Sequence, residues 1–230
     1  MRELARQALI SLRATAFLLV ACCVVYPVVV FALGHAVMPH LATGSLVDKQ
    51  GDATSPDRAA GSSLLGQAFH SAYYFHPRPS AAGAGYDAAS SSGTNLGPLS
   101  EKLLDGSADD PSTKDVDESF AGVKQLVLAY RAENQLGPDV LVPADAVTYS
   151  ASGLDPDITP ANARLQIARV AAARGARSDE VRAIVERHIT GRSWGVFGEP
   201  RVNVLELNTA LDRELPVAGP IAREHGSMHP

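Results

Sequence analysis

Between Arg13 and Asp48 the chain carries no Asp, Glu, Lys or Arg, and from Ala14 to Met38 it is almost entirely apolar. That run exceeds the ~20 residues a helix needs to cross a hydrocarbon core of ~30 Å, so a membrane-spanning helix is expected over 14–38. A cleaved signal peptide is the competing reading, with Gly34-His35-Ala36 as its small-x-small site. Signal cores, however, run to only ~7–15 apolar residues. Arg2, Arg6 and Arg13 stand on the N-terminal side against Glu3 alone, and no Lys or Arg follows until Lys49. The positive-inside bias therefore places the arm 1–13 in the cytoplasm and the rest of the chain outside. Pro27, in mid-span, removes a backbone donor and crowds the carbonyl of Cys23, so a kink is expected there.

Beyond Met38 the pattern turns polar. The stretch 39–60 reads as a connector, turn-rich at Asp48–Asp52 and Ser55-Pro56-Asp57, with one short strand at Leu46-Val47. Residues 61–212 read as one domain. Within it Ala81–Gly97, dense in Gly, Ala and Ser, is a long loop. The geometry-fixing runs on either side, Tyr74–Pro79 and Asn95-Leu96-Gly97-Pro98, favour an ordered loop. Phe120, Val123, Val127 and Tyr130 recur at three and four residues, predicting a helix over Val116–Gln135, capped by Asp115 and stopped by Gly137-Pro138. Val140–Val142 and Ala146–Tyr149 are short and rich in β-branched residues, and strands are expected at both. Thr159-Pro160 starts a helix that runs to Arg174 and is closed by Gly175. Ser178-Asp179-Glu180 opens another, with Ser178 as the capping residue and Val181, Ile184, Val185 and His188 facing inward. A last helix over Asn203–Leu211 buries Val204, Leu207 and Leu211, and 213–230 is expected to be a flexible tail. The fold class is mixed α+β: one N-terminal transmembrane helix, then a single compact extracytoplasmic domain of helices and short strands.

Composition narrows the function mainly by exclusion. With 20 basic and 25 acidic residues the net charge is −5, and no basic stripe exists for a nucleic acid backbone. The only cysteines, Cys22 and Cys23, lie inside the apolar run, so the outer part has neither a disulfide framework nor a cysteine metal site. H-E-x-x-H, G-x-S-x-G, G-x-x-x-x-G-K-[ST] and G-x-G-x-x-G are all missing, and no catalytic residue is expected. His70 with His76, and His225 with His229, read as solvated or turn histidines and not as metal ligands. Asp155-Pro156-Asp157 reads as a structural turn whose carboxylates accept backbone donors, and Asn95 as a turn residue doing the same. Ser150–Gly153 precedes a helix start, where a phosphate can be cradled, but the acids beside it would repel one. Trp194–Arg201, an aromatic and glycine turn, leaves two readings open: a plug beneath the core, or an exposed docking surface.

Five runs in chain order carry a family resemblance: Gly61–Phe69, Tyr74–Ala81, Asn95–Pro98, Ser150–Pro156 with Gln166–Gly175, and Gly198–Leu205. Together they resemble the C subunit of the Kdp-type potassium-transporting ATPase. The resemblance implies an accessory subunit for assembly and stability. Its expected partners are a channel-like potassium-translocating subunit, a P-type ATP-hydrolysing subunit and a small membrane subunit. The expected location is the bacterial inner membrane, crossed once. The resemblance marks Gln67, Phe69, Tyr74, Arg78, Pro79, Asn95, Gly97, Pro98, Ser152, Gly153, Asp155, Pro156, Arg169 and Asn203 as structural or interface positions. ATP and K+ are expected to be handled by the complex, with no cofactor bound by this chain directly. A described effect of the family on ATP affinity nominates Gln166 for a nucleotide contact, whereas the arginine asymmetry puts Gln166 outside, away from cytoplasmic ATP. Asp48-Lys49-Gln50-Gly51 mimics the phosphorylated D-K-T-G of P-type ATPases but lacks its threonine. Three readings follow: an assembly subunit, a nucleotide-binding chaperone subunit, and an envelope-anchored binding protein or hydrolase.

Overall fold

In the computed structural model, which describes residues 1–108 and 119–217, helix α1 runs over Arg2–Val37 with none of its apolar window buried. The expected disturbance at Pro27 takes the form of a π-turn, Ala21–Val25, in which the Tyr26 N–H reaches back to the Ala21 carbonyl. The wider turn carries the backbone past the proline ring. Pro27 then sits in the first turn of the segment Tyr26–Val37, where a missing donor costs least.

The short α2, Pro39–Ala42, is followed at once by the domain, since Ser45 is already buried. β1, Leu46–Val47, pairs antiparallel with β2, Gly61–Ser62. The Ser62 hydroxyl donates to Gly44 O at 2.7 Å, and the Ser63 N–H to Ser45 O at 3.1 Å. A short helix α3, Glu101–Asp105, contacts α4, Val123–Glu133. β3 (Asp157–Ile158), β4 (Ile189–Thr190) and β5 (Arg201–Asn203) make an antiparallel sheet in the order β3-β5-β4. Ile158 pairs with Val202, which in turn pairs with Ile189. Against this sheet lie α5 (Pro160–Arg174) and α7 (Val204–Glu214), and α6 (Ser178–Arg187) packs on both helices. Their inner faces and the sheet enclose Phe75, Ile167, Val170, Val181, Val185, Leu207 and Leu211.

The caps explain where these helices start. Thr159 Oγ1 accepts the Asn162 N–H and Asn203 Oδ1 accepts the Glu206 N–H, while Gly175 ends α5 at φ +63°. α6 differs from expectation at its cap. Arg177 holds that position, and the Glu180 carboxylate reaches back 3.0 Å to its N–H, so Ser178 is already the first helical residue.

α4 is shorter than its periodicity predicts. Gly122 packs against Gly106 with no room for a side chain, and Phe120 is held extended by a bridge to Ser107 and by stacking on Tyr149 at 4.9 Å. The proposed cap Asp115, Val116 at the predicted start and the tail beyond Val217, with His225 and His229, lie outside the described residues. The strands expected at Val140–Val142 and Ala146–Tyr149 do not form. Val140, Ala146 and Val147 donate their N–H groups to Gly137, Pro143 and Ala144, and Thr148 Oγ1 donates to Ala144 O, so local turns take the donors a ladder would need. The apolar side chains still serve. Val142, Ala146 and Val147 pack with Tyr130 in a second, smaller cluster.

Candidate functional site

Phe75 is fully buried, so its backbone N–H and C=O require partners inside the protein. No strand flanks it. Asn208 on α7 takes that role, its Oδ1 accepting the Phe75 N–H at 2.8 Å and its Nδ2 donating to Phe75 O at 3.0 Å. Gln166 on α5 treats the next residue the same way, accepting the His76 N–H at 2.7 Å and donating to His76 O at 3.0 Å. Two side-chain amides thus imitate the ladder bonds of a β-strand at consecutive residues.

Gln166 has further partners. Its Oε1 also accepts from Arg169 Nη2 at 2.7 Å, and its Nε2 also donates to Asn162 Oδ1 at 2.9 Å. An amide has two acceptor lone pairs and two donor hydrogens, so all four are engaged in a side chain only 1% exposed. Arg169 extends the clamp to Ala72 O at 2.7 Å and Tyr74 O at 2.9 Å, with Asn134 Oδ1 on its Nε at 3.0 Å. Arg174 holds Tyr73 O at 2.7 Å, Leu215 O at 2.9 Å and Asp212 Oδ1 at 2.8 Å, with its guanidinium over the Tyr74 ring. The Tyr74 hydroxyl donates to the other Asp212 oxygen, and burial together with that bond pushes its pKa up to about 12. Tyr130 donates to Asn162, and Asn162 to Asp145, which also accepts from the Thr159 N–H and hydroxyl.

A second assembly joins the motifs around Asp155. Asp155 Oδ2 accepts from Arg78 at 2.6 Å and Oδ1 from the Asp157 N–H at 3.1 Å, the turn role expected for it. Pro79 O accepts the Ser150 N–H, Ser152 Oγ the Leu154 N–H, and Pro156 O the Val204 N–H. The loop 81–97 is ordered on this turn. Ser92 N–H and Ser91 Oγ donate to Ser152 O, and Ser80 Oγ to Gly153 O. Asn203 Nδ2 donates to Ser63 O at 2.7 Å, Gln67 to Ala60 O at 3.4 Å, and Phe69 packs on the main core. Gly97 O accepts the Ser100 N–H, and Pro98 is exposed. Asn95 corrects the expectation made for it. It is exposed at φ +55°, so its contribution is tolerance of a left-handed backbone and not the rescue of a buried donor.

The resemblance did not single out Asn208, Asp212 or Asn162, and it took in Arg174 only as part of the run Gln166–Gly175. For Asn208 a signal exists, because it shares the inward stripe of Val204, Leu207 and Leu211 and is the polar residue on an apolar face.

The family model for the K+-transporting ATPase, c chain, matches residues 8–213. The chain belongs to the KdpC family. It is similar to the potassium-transporting ATPase KdpC subunit of Caulobacter vibrioides (strain NA1000 / CB15N), 47% identical over 192 residues that cover 83% of this chain and 85% of that one. The KdpC subunit of Mycobacterium bovis (strain BCG / Pasteur 1173P2) is 47% identical over 190 residues, covering 83% of this chain and 89% of that one. As a KdpC-family chain it is a subunit of the multi-subunit potassium-transporting ATPase, with α1 as its candidate membrane span.

One ion cluster borders the clamp of this KdpC fold. Glu133 Oε1 lies 2.5 Å from His76 Nδ1 and 3.7 Å from Arg169 Nε. Burial pushes the Glu133 carboxyl up, but the His76 bond and the charges of His76, Arg169 and His70 outweigh it and hold its pKa below the ordinary glutamate value. A depressed carboxylate pKa contributes stability that is complete above the unfolded value and is lost as pH falls through the folded one. The unfolding midpoint of the full chain in micelles should therefore drop on acidification below about pH 4.5, and Glu133→Gln should flatten that limb. Equal acid limbs in both proteins would remove the cluster as its cause.

Proposed function

We propose that the chain is a non-catalytic accessory subunit of a high-affinity, ATP-driven potassium uptake pump. It stabilises the assembled complex through an extracytoplasmic body on one membrane anchor, with the N-terminus in the cytoplasm. The observation that carries this reading is that the motif side chains spend their hydrogen bonds inside the domain. Gln166, Arg169, Asp155 and Asn203 all bond elements of the same domain together, which suits a part that works by shape. A potassium-translocating subunit, an ATP-hydrolysing subunit and a small membrane subunit are its proposed partners.

The nucleotide reading finds less support. Gln166 has no open polar atom. It lines neither the cavity of about 140 Å³ at Gln50, His188, Glu206, Thr209 and Arg213, small beside the ~300–1,000 Å³ of ligand pockets, nor the one of about 370 Å³ at Val123, Lys124, Val127 and Leu128. The arginine asymmetry of α1 also sets the domain apart from cytoplasmic ATP.

The test uses the whole complex in spheroplasts and after solubilisation. Asp155→Ala, which unpairs Arg78 and the Asp157 N–H, should lower the amount of this subunit recovered with its partners while ATP turnover per intact complex stays near normal. Full assembly with turnover reduced to a small fraction would overturn the contact-only reading. In the same preparation, with Cys22 and Cys23 replaced by alanine, an impermeant thiol reagent should label Leu99→Cys before lysis. Labelling only after lysis would reverse the orientation.

A further inference from the structure

The turn between β4 and β5 carries the most exposed aromatic surface of the outer domain. Trp194 is 92% exposed, Val196 68% and Phe197 63%. Neighbouring apolar side chains left in water at ~25 cal/mol per Å² mark a surface that something covers. The plug reading of this segment is thereby excluded.

The tip is ordered. Ser193 and Phe197 form an antiparallel bridge through two backbone bonds of 2.8 and 3.0 Å, and the Val196 N–H closes a tight turn on Ser193 O. Both central residues, Trp194 at φ +53° and Gly195 at φ +75°, are left-handed, a conformation that is unfavourable for a bulky residue such as tryptophan. The Trp194 and Phe197 rings meet edge to face at 6.1 Å. At the neck, Arg192 Nη2 binds both Glu199 oxygens, at 2.8 and 2.6 Å.

We propose that this tip is an anchor that seats Trp194 and Phe197 in an apolar, uncharged pocket on the outward face of another subunit of the same complex. The inference rests on the accessory-subunit reading above. Charge favours a protein pocket over a lipid surface. Aromatic segments that bind anionic bilayers carry free Lys or Arg beside the rings. Here Ser193–Gly198 holds no charge, Arg192 is bonded to Glu199, and Arg201 lies 3.0 Å from Asp157. From Pro39 onward acidic residues outnumber basic ones, 24 to 17. A preformed aromatic pair also loses little freedom on entering a pocket, which is how aromatic hot spots work.

Connectivity keeps the tip within reach of membrane-embedded neighbours. Ser45, eight residues after the span ends at Val37, bonds Ser63, and Ser63 bonds Asn203 of β5. The hairpin leaves from Arg201, two residues along that strand.

The assembled complex, carrying Trp194→p-benzoylphenylalanine, should on illumination give an adduct with one membrane subunit. Trp194→Ser with Phe197→Ser should leave the unfolding midpoint unchanged and weaken retention by the partner subunits on the order of tenfold or more. Trp194 is the only tryptophan, so in the chain alone in nanodiscs its emission should be quenched by acrylamide and untouched by brominated lipid. Strong quenching by brominated lipid, or adducts with lipid alone, would overturn the proposal in favour of a bilayer contact. Co-purification of the complex without any adduct would remove this proposal and leave the subunit reading standing. Failure of the unmodified chain to co-purify would remove both.

Discussion

Replacing Gln166 by leucine is expected to lower the stability of the domain that follows α1 by several kcal/mol, among the largest effects of any single substitution in this chain. The change keeps the volume and apolar contacts of the α5 position but withdraws four hydrogen bonds at once. His76 N–H and C=O, Asn162 and Arg169 lose partners around a position that is 1% exposed. Each buried group left unpaired costs ~1–3 kcal/mol, against a total of ~5–15 kcal/mol for a domain. Gln166→Glu separates bonding from packing. A carboxylate keeps the shape and can still accept from His76 N–H and Arg169, but it presents an oxygen to His76 O and Asn162 Oδ1, where the amide presented hydrogens. Both variants should therefore unfold at clearly lower denaturant than the parent chain, followed by circular dichroism of the full protein in micelles. Midpoints indistinguishable from the parent would mean that the clamp is not holding the 72–76 segment, and would reopen Gln166 as a ligand contact.

Gly153→Ala should be nearly as damaging, and for a different reason. At φ +70° a Cβ is strained, by ~1–2 kcal/mol, and it would stand 2.6 Å from Ala82 Cβ, 2.7 Å from Ser92 O and 2.8 Å from Ala82 N. Two of those three atoms are backbone, so no rotamer change relieves the clash, and overpacking of this kind adds ~1–3 kcal/mol. The loop 81–97 must then lift from the Ser150–Gly153 turn. Limited proteolysis of the full chain should show new cleavage between Gly83 and Asn95 together with a lowered unfolding midpoint. Gly175→Ala serves as the control, because that glycine has a similar φ of +63° with open space around it, and only the conformational strain should register. If Gly153→Ala and Gly175→Ala lose the same stability and neither gains cleavage sites, the docking of the loop is not what Gly153 maintains.

Much of the scaffold is legible in the chain because its signals are local. The apolar run before Asp48 determines the candidate span α1. Thr159-Pro160 and Gly175 determine both ends of α5, and the inward spacing of Val181, Ile184 and Val185 determines the face of α6. Pro27 announced a disturbance, and the backbone answered with a π-turn. Periodicity misled where a tertiary contact competed. Phe120 keeps the spacing of α4 but belongs to a bridge with Ser107, and the β-branched residues near Val140 and Val147 have their donors taken by turns around Pro143.

The candidate site follows the same division. Sequence alone determined the family resemblance and the turn role of Asp155, since these rest on residue types in short runs, and the resemblance drew the eye to Gln166 and Arg169. Only the tertiary structure decided what those residues do. The clamp joins Gln166 to His76 across 90 positions and Asn208 to Phe75 across 133, and an amide that replaces a missing strand leaves no period to read. The docking of 81–97, the exposure of Asn95 and the outward stance of Trp194 were settled in the same way. Each depends on which surface lies opposite once the chain has folded, and that is set by packing of distant elements and not by the preferences of neighbouring residues.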